Sequence, residues 1–380
     1  MNTTNPTIHM VDLKGQYRKI QDELDQQVID VIRSGAFING PAVKKFQADL
    51  ETYLGVKHVI PCANGTDALQ IAMMALGLEP GDEVIVPAFT YVATAEVIAL
   101  LRLTPVMVDV DPHTFNITAE LIEPAITKKT KAIVPVNLFG QSCDMAPILD
   151  LAQKHNLYVV EDNAQAIGAR YTFPDGTVKA AGALGHIGCT SFYPSKNLGA
   201  YGDGGAIYTD SDELAAQIRM VANHGQNRRY YHDEVGVNSR LDSIQAAILG
   251  IKLQHLDTYN GTRRAAADHY DQAFANVDVL VTPVRQANST HVFHQYTLRV
   301  TDGRRDELQA YLKEEGIPSM IYYPVPLYEQ KAYQGTAANN IAFLPVTDQL
   351  CKEVISLPMH SELDEDTLAY ISEKVKAFFS

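Results

Sequence analysis

Ser191-Phe-Tyr-Pro-Ser-Lys-Asn-Leu-Gly-Ala-Tyr-Gly-Asp-Gly-Gly-Ala206 sets one lysine, Lys196, between a short β-like run and a glycine-rich turn. A solvated surface cation needs no such neighbours, so Lys196 reads as placed rather than scattered. Upstream, Leu157-Tyr-Val-Val-Glu-Asp-Asn-Ala-Gln-Ala166 is an apolar strand that ends in acids and amides. An amine can hold pyridoxal phosphate as a Schiff base. A carboxylate such as Asp162 can keep the ring nitrogen protonated, so that the ring becomes an electron sink. Together the two stretches point to a pyridoxal phosphate site.

Working outward, residues 56–63 read as a buried strand, and Asn64-Gly-Thr-Asp-Ala-Leu69 turns it into an apolar helix over 68–78. The backbone N–H groups of Gly65 and Thr66 then lie at a helix N-terminus, which favours an anion. An ordinary N-cap by Asn64 or Thr66 satisfies the same residues. Strands are expected at 83–87, 105–110, 131–136 and 158–161, alternating with helices at 91–101, 119–126 and 145–155. Apolar runs alternating with amphipathic helices predict an α/β fold, a mainly parallel sheet with helices on both faces. Ligands of such sheets gather beyond the carboxyl ends of the strands, where Gly65, Thr66, Phe89, Tyr91, Asp162 and Gln165 fall. A flat cofactor ring needs a flat partner, for which Tyr91 is the first choice and Phe89 the second.

The flanks complete the outline. Residues 8–35 read as an arm and a helix, and 42–54 as a second helix. A polar insertion over 171–183 predicts a hairpin around Asp175-Gly176, followed by a strand at 205–209 and a helix at 212–223. His224 opens a loop rich in arginine and tyrosine, and Val235-Gly-Val-Asn-Ser-Arg-Leu-Asp242 precedes a long helix that reads as a linker. Strands at 277–281, 291–300 and 319–323, with helices at 306–315, 347–355 and 364–379, predict a small α+β unit. Residues 1–256 are thus expected to form a large cofactor-binding domain with an N-terminal arm, and 257–380 a small domain, with substrate in the cleft between them.

Composition narrows the partners. The 380-residue chain has 46% hydrophobic and 20% charged residues and a formal net charge of −14. Such a charge repels phosphate backbones, and no basic cluster offsets it, so neither nucleic acid nor an anionic membrane is an expected partner. A polar N-terminus and the absence of a run long enough to span a bilayer predict a soluble, cytoplasmic protein. The four cysteines are widely spaced without a C-x-x-C pair, and read as reduced thiols. His291 and His294 would fall on opposite faces of a strand over 290–300, so no metal site is expected there.

Six segments in order, Asn-Gly-Thr-Asp-Ala-Leu, Pro-Ala-Phe-Thr-Tyr-Val-Ala-Thr, Glu-Asp-Asn-Ala-Gln, Ser-Phe-Tyr-Pro-Ser-Lys-Asn, Gly-Asp-Gly-Gly-Ala and Asn-Ser-Arg-Leu-Asp, resemble the DegT/DnrJ/EryC1/StrS family of nucleotide-sugar aminotransferases. The likeness covers nearly the whole chain and implies the aspartate-aminotransferase-like fold, fold type I of the pyridoxal phosphate enzymes. It implies that Lys196 is the Schiff-base lysine, Asp162 the partner of the pyridine nitrogen and Gln165 the neighbour of the phenolic oxygen. Gly65, Thr66 and Ser191 would hold the phosphate, and Tyr91 would stack on the ring. In this family an asparagine of a neighbouring subunit also reaches the phosphate; Asn238 matches it, which implies a homodimer with shared active sites. A helix cap is the alternative reading of Asn238.

Relatives that remove a hydroxyl carry histidine in place of this lysine, so the resemblance implies transamination, with L-glutamate as amino donor and a nucleotide-linked keto sugar as acceptor. The type most similar acts on UDP-2-acetamido-2-deoxy-3-keto-hexuronic acid, on the way to surface polysaccharides. There Arg240 would pair with a uronate carboxylate, or instead with Asp242. Tyr322, where many members have histidine, and Tyr323 would line the cleft. His224 and His360, each in a loop beside proline or glycine, could contact the sugar, although lone histidines are more often structural or solvated. The rival substrates are dTDP- or GDP-linked keto-6-deoxy sugars. A cofactor-binding regulator is the rival from another class, and it predicts a missing lysine or carboxylate. A nicotinamide dehydrogenase needs its glycine-rich turn after a strand, whereas Gly202 to Gly205 precede one.

Overall fold

The expected alternation forms in the structure, a computed structural model that describes residues 7–333 and 344–380. Residues 1–6 of the expected large domain and 334–343 of the expected small domain lie outside the described residues. Helices α1 (Leu13–Ser34) and α2 (Pro41–Leu54) each stop at a glycine, Gly35 and Gly55, with left-handed φ of 66° and 71°. Without a Cβ, glycine takes that conformation at no steric cost. Then follow β1 (His58–Cys62), α3 (Gly65–Ala75), β2 (Glu83–Pro87), α4 (Ala93–Leu100), β3 (Thr104–Val108), α5 (Ala119–Ile122), β4 (Thr130–Ile133), α6 (Met145–His155) and β5 (Tyr158–Asp162). Strands β6 (Arg170–Thr172) and β7 (Val178–Ala180) pair as the hairpin expected around Asp175. The lysine turn lies between β8 (Ile187–Ser191) and β9 (Gly205–Thr209).

Seven strands form the large sheet in the order β1-β9-β8-β5-β4-β2-β3. Strand β9 runs against both its neighbours, and the remaining pairs are parallel. All strands except β9 therefore point their carboxyl ends to one edge. Val84, Ile85 and Val86 are successive and all buried, as a strand covered on both faces requires. Val84 and Val86 join a core with Ile71 of α3 and Ile98 of α4, whereas Ile85 faces the opposite core with Ile148 and Leu151 of α6.

After the sheet come α7 (Asp212–Ala222), a small hairpin of β10 (Gln226–Arg228) and β11 (Tyr231–His232), and the long α8 (Ser243–Phe274). The chain ends with β12 (Leu280–Val281), β13 (Tyr296–Val300), α9 (Arg305–Glu314), α10 (Pro345–Glu353), β14 (Val354–Leu357) and α11 (Glu365–Phe378). Strands β12, β13 and β14 form an antiparallel sheet. The expected division after residue 256 falls inside α8. Leu249, Leu253 and Leu256 pack with α2 and the large sheet, whereas Ala266, Tyr270 and Phe274 pack with β13 and α11.

Three local expectations change. Within 319–323 only Met320 pairs, in a single bridge with Ser356, because Ile321, Tyr322 and Tyr323 turn their side chains onto the core of the large sheet. The expected helix over 347–355 ends at Glu353, and Val354–Leu357 becomes β14, buried at every position. The strand expected from residue 291 begins at Tyr296. Before it, the N–H groups of Val292 and Gln295 bond to the carbonyls of Gly140 and Phe139 in the large unit. His291 and His294 thus precede the strand, and the argument from opposite strand faces does not apply to them. Among the described residues no helix is long and apolar enough to cross a membrane.

Candidate active site

The carboxyl edge of the sheet carries the candidate residues because β1, β2, β5 and β8 all end there. After β1, the side chain of Asn64 accepts the N–H of Asp67 at 2.8 Å and takes the N-cap of α3. The first-turn N–H groups of Gly65 and Thr66 are left for another acceptor. A Cβ on Gly65 would stand 2.6 Å from that of Ser191, so only glycine lets α3 approach the end of β8. Gly65, Thr66 and Ser191 form one wall of a cavity of about 650 Å3. Its donors and its closeness suit a phosphate group.

Asp162 closes β5 at the floor of the cavity and is 6% exposed. It accepts the Thr94 hydroxyl at 2.8 Å and the Ala164 N–H at 3.2 Å. Burial holds its carboxyl above the usual range, and these bonds and the Lys196 charge pull the other way. Lys196 enters from the turn between β8 and β9. Burial lowers its ammonium to about 8, against the opposing pull of Asp162. A cationic ring nitrogen is the complement that the buried Asp162 carboxylate lacks.

Gln165 is fixed at both ends of its amide: Oε1 accepts the Phe139 N–H at 2.8 Å, and Nε2 donates to the Tyr323 hydroxyl at 3.3 Å. Tyr91, 58% exposed, lies with its ring 6.3 Å from that of Tyr323 and lines the cavity, as does Tyr322. Phe89, the second choice for a ring partner, is 1% exposed and packs on Phe115 and Phe139, so it is a core residue. It sits in the bend after β2, beneath the Tyr323 ring at 5.9 Å, and Tyr323 rather than Phe89 lines the cavity.

Four candidates stay outside this chain's cavity. Asn238 is exposed and its backbone bridges Asn223; it caps no helix, since α8 starts at Ser243 with Asp242 at its N-cap. Arg240 is half-buried and, among the described residues, forms no ion pair, with Asp242 or any other acid. His224 is exposed at the start of the β10 hairpin. His360 is buried elsewhere: its Nδ1 accepts the Glu362 N–H at 3.2 Å, and burial beside Arg263 lowers it to about 4.

Sequence reasoning missed Thr94, His294 and Gln295. No local pattern shows that Thr94 reaches Asp162, or that 294 and 295 reach the cavity. Among the described residues no cluster of three potential metal ligands occurs.

Comparison with known proteins gives a consistent picture. The DegT/DnrJ/EryC1/StrS aminotransferase family model matches residues 18–376. The chain is 48% identical to UDP-2-acetamido-2-deoxy-3-oxo-D-glucuronate aminotransferase of Pseudomonas aeruginosa, over 96% of this chain and 98% of that one. It is 47% identical to a pleiotropic regulatory protein of Geobacillus stearothermophilus, over 98% of both. Its fold is similar to the crystal structure of DesV from S. venezuelae, with a TM-score of 0.94, 38% identity and 99% of each chain covered.

Proposed function

Because the chain belongs to the DegT/DnrJ/EryC1/StrS aminotransferase family, we propose that it transfers the amino group of L-glutamate to C3 of UDP-2-acetamido-2-deoxy-3-keto-hexuronic acid. It is a nucleotide-sugar aminotransferase of the aspartate-aminotransferase-like fold and uses pyridoxal 5'-phosphate. The observation that carries the reading is the meeting of Lys196, Asp162, Gln165 and the α3 N-terminus in one cavity. The high identity to the Pseudomonas enzyme supports the UDP-linked 3-keto uronate over dTDP- and GDP-linked keto-6-deoxy sugars. A regulator without chemistry would not need the intact Lys196 and Asp162 pair.

When bound, pyridoxal phosphate supplies an electron sink for the charge that develops on the substrate carbon. The residues of this chain do the rest. Lys196 would hold the cofactor and, when displaced by the donor, carry a proton between carbon atoms. An ammonium lowered to about 8 leaves a useful neutral fraction for that task. Asp162, steadied by Thr94, would pair with the ring nitrogen, Gln165 would approach the phenolic oxygen, and Tyr91 would cover the ring. Gly65, Thr66 and Ser191 would bind the phosphate.

In this reading the active site is shared between two copies. The ligands are anionic, yet among the described residues that line the cavity Lys196 is the one lysine or arginine. Asn238 of a second copy would complete the phosphate site. Arg240 would meet the uronate carboxylate, with Tyr322 and Tyr323 as the sugar wall and His224 beside it. His360, buried apart from the cavity, has no part in it. The exposed Ile32, Phe37 and Ile38 supply apolar surface for such a dimer. The enzyme would work in the cytoplasm and feed surface polysaccharide assembly.

The test supplies holoenzyme and L-glutamate with either the UDP-linked 3-keto uronate or a dTDP-linked keto-6-deoxy sugar, and measures 2-oxoglutarate. Release with the uronate is expected, with an Arg240→Ala variant raising its KM about tenfold. Release with the dTDP sugar alone would replace the substrate and keep the chemistry.

A further inference from the structure

Beside the lysine stands an asparagine whose bonding is one-sided. Asn197 is 3% exposed, and its Nδ2 donates to Asn260 Oδ1 at 2.7 Å and to the Val292 carbonyl at 2.9 Å. Its Oδ1 is buried without a partner among the described residues. Turning the amide over would set oxygen against two oxygens, so the donors decide its orientation. A buried unpaired acceptor is costly, and its retention marks a position under another constraint.

Asn260, 1% exposed on α8, extends the link: its Nδ2 donates to the Ile167 carbonyl at 3.2 Å, in the turn that follows Gln165. Gly168 gives it room, since a Cβ there would lie 2.3 Å from Asn260 Nδ2, at a φ of +89°. On the same helix Lys252 Nζ donates to the Gly199 carbonyl at 2.5 Å, three residues past Lys196. One face of α8 thus grips the lysine turn at two points, the Gln165 turn at another, and through Val292 the segment that brings His294 and Gln295 to the cavity.

We propose that the Asn197–Asn260 pair positions Lys196, locking its turn to α8 and to the Gln165 turn so that the amine keeps one location in the cavity, close to Asp162. Neither asparagine lines the cavity, so both act through Lys196. The proposal rests on Lys196 as the residue that holds the cofactor.

The experiment compares Asn197→Ala and Asn260→Ala with Thr347→Val, a control in α10 whose hydroxyl donates to Asp109 at 2.7 Å, outside the cavity. Competitive acetylation of the apoprotein, read by peptide mass spectrometry across pH, reports the Lys196 pKa without cofactor. In both alanine variants that pKa is expected to rise by about half a unit or more, as the freed side chain moves toward solvent. In the holoenzymes kcat is expected to fall about ten- to a hundredfold with KM for L-glutamate unchanged. Asn197→Ser keeps one donor and stands in should the alanine variant not fold, with smaller changes in the same direction. An unchanged Lys196 pKa and kcat, with only the lower Tm that Thr347→Val also shows, would overturn the proposal. Failure of the underlying reading looks different: borohydride reduction of the wild-type holoenzyme would leave no pyridoxyl group on Lys196.

Discussion

Lys196 owes its reactivity to where it is held. Burial lowers its ammonium to about 8, and Asp162 limits the fall. The neutral amine is the nucleophile, so the rate at which apoenzyme captures pyridoxal phosphate should climb as pH rises through about 8 and level off above it. Stopped-flow absorbance across pH checks this; a midpoint near the ordinary lysine value would contradict it. Thr94 supports Asp162 through one charge-assisted bond. Thr94→Val should lower kcat about tenfold and lower Tm as well, as loss of a buried hydrogen bond to a charged group predicts. Lys196, Asp162 and Gln165 were legible in the sequence because their chemistry admits few residue types and each sits beside a recognisable strand end. Thr94, His294 and Asn260 were not, since each reaches its partner across a fold that the local sequence does not encode.

Two elements fix the geometry of that edge. Helix α3 can approach Ser191 only through Gly65, so Gly65→Ala should weaken cofactor binding about tenfold or more while secondary structure persists. Equilibrium titration of apoenzyme with pyridoxal phosphate measures it. Behind Asp162, Glu161 accepts the N–H groups of Gly182, Leu184 and Gly185 at 2.7, 2.6 and 2.7 Å, clamping the connection into β8. Burial raises its carboxyl, and these bonds oppose the rise. Glu161→Gln puts an amide where three donors converge, and should cost about 3 kcal/mol in urea unfolding. The strands of the large sheet were readable because a strand covered on both faces must be an apolar run. The α10–β14 boundary and the stretch 291–295 were not, because tertiary pairing outweighs their local pattern.

At the scale of the whole molecule, α8 joins the core under the large sheet to the core of the C-terminal sheet, and buried histidines stand near the seam. Burial lowers His360 to about 4 and His291 to about 3, and keeps His294 neutral as well. The unfolded chain takes up these protons below about 6.5 while the folded chain does not, so each histidine removes stability as pH falls from about 6.5 toward 4. Each contributes about 1.4 kcal/mol per pH unit, and the raised carboxyls of Asp162 and Glu161 act in the opposite sense. His360→Asn should flatten the acid side of the urea stability profile by about one histidine's slope. Substrate choice was the least legible property, because in the proposed shared site it would rest on residues such as Arg240 that do not line this chain's own cavity. The central claim is that Lys196 carries the cofactor, and borohydride reduction of the holoenzyme followed by peptide mapping tests it most directly. A pyridoxyl group on Lys196 is the predicted result; a label on another lysine, or none after saturation with pyridoxal phosphate, would contradict it.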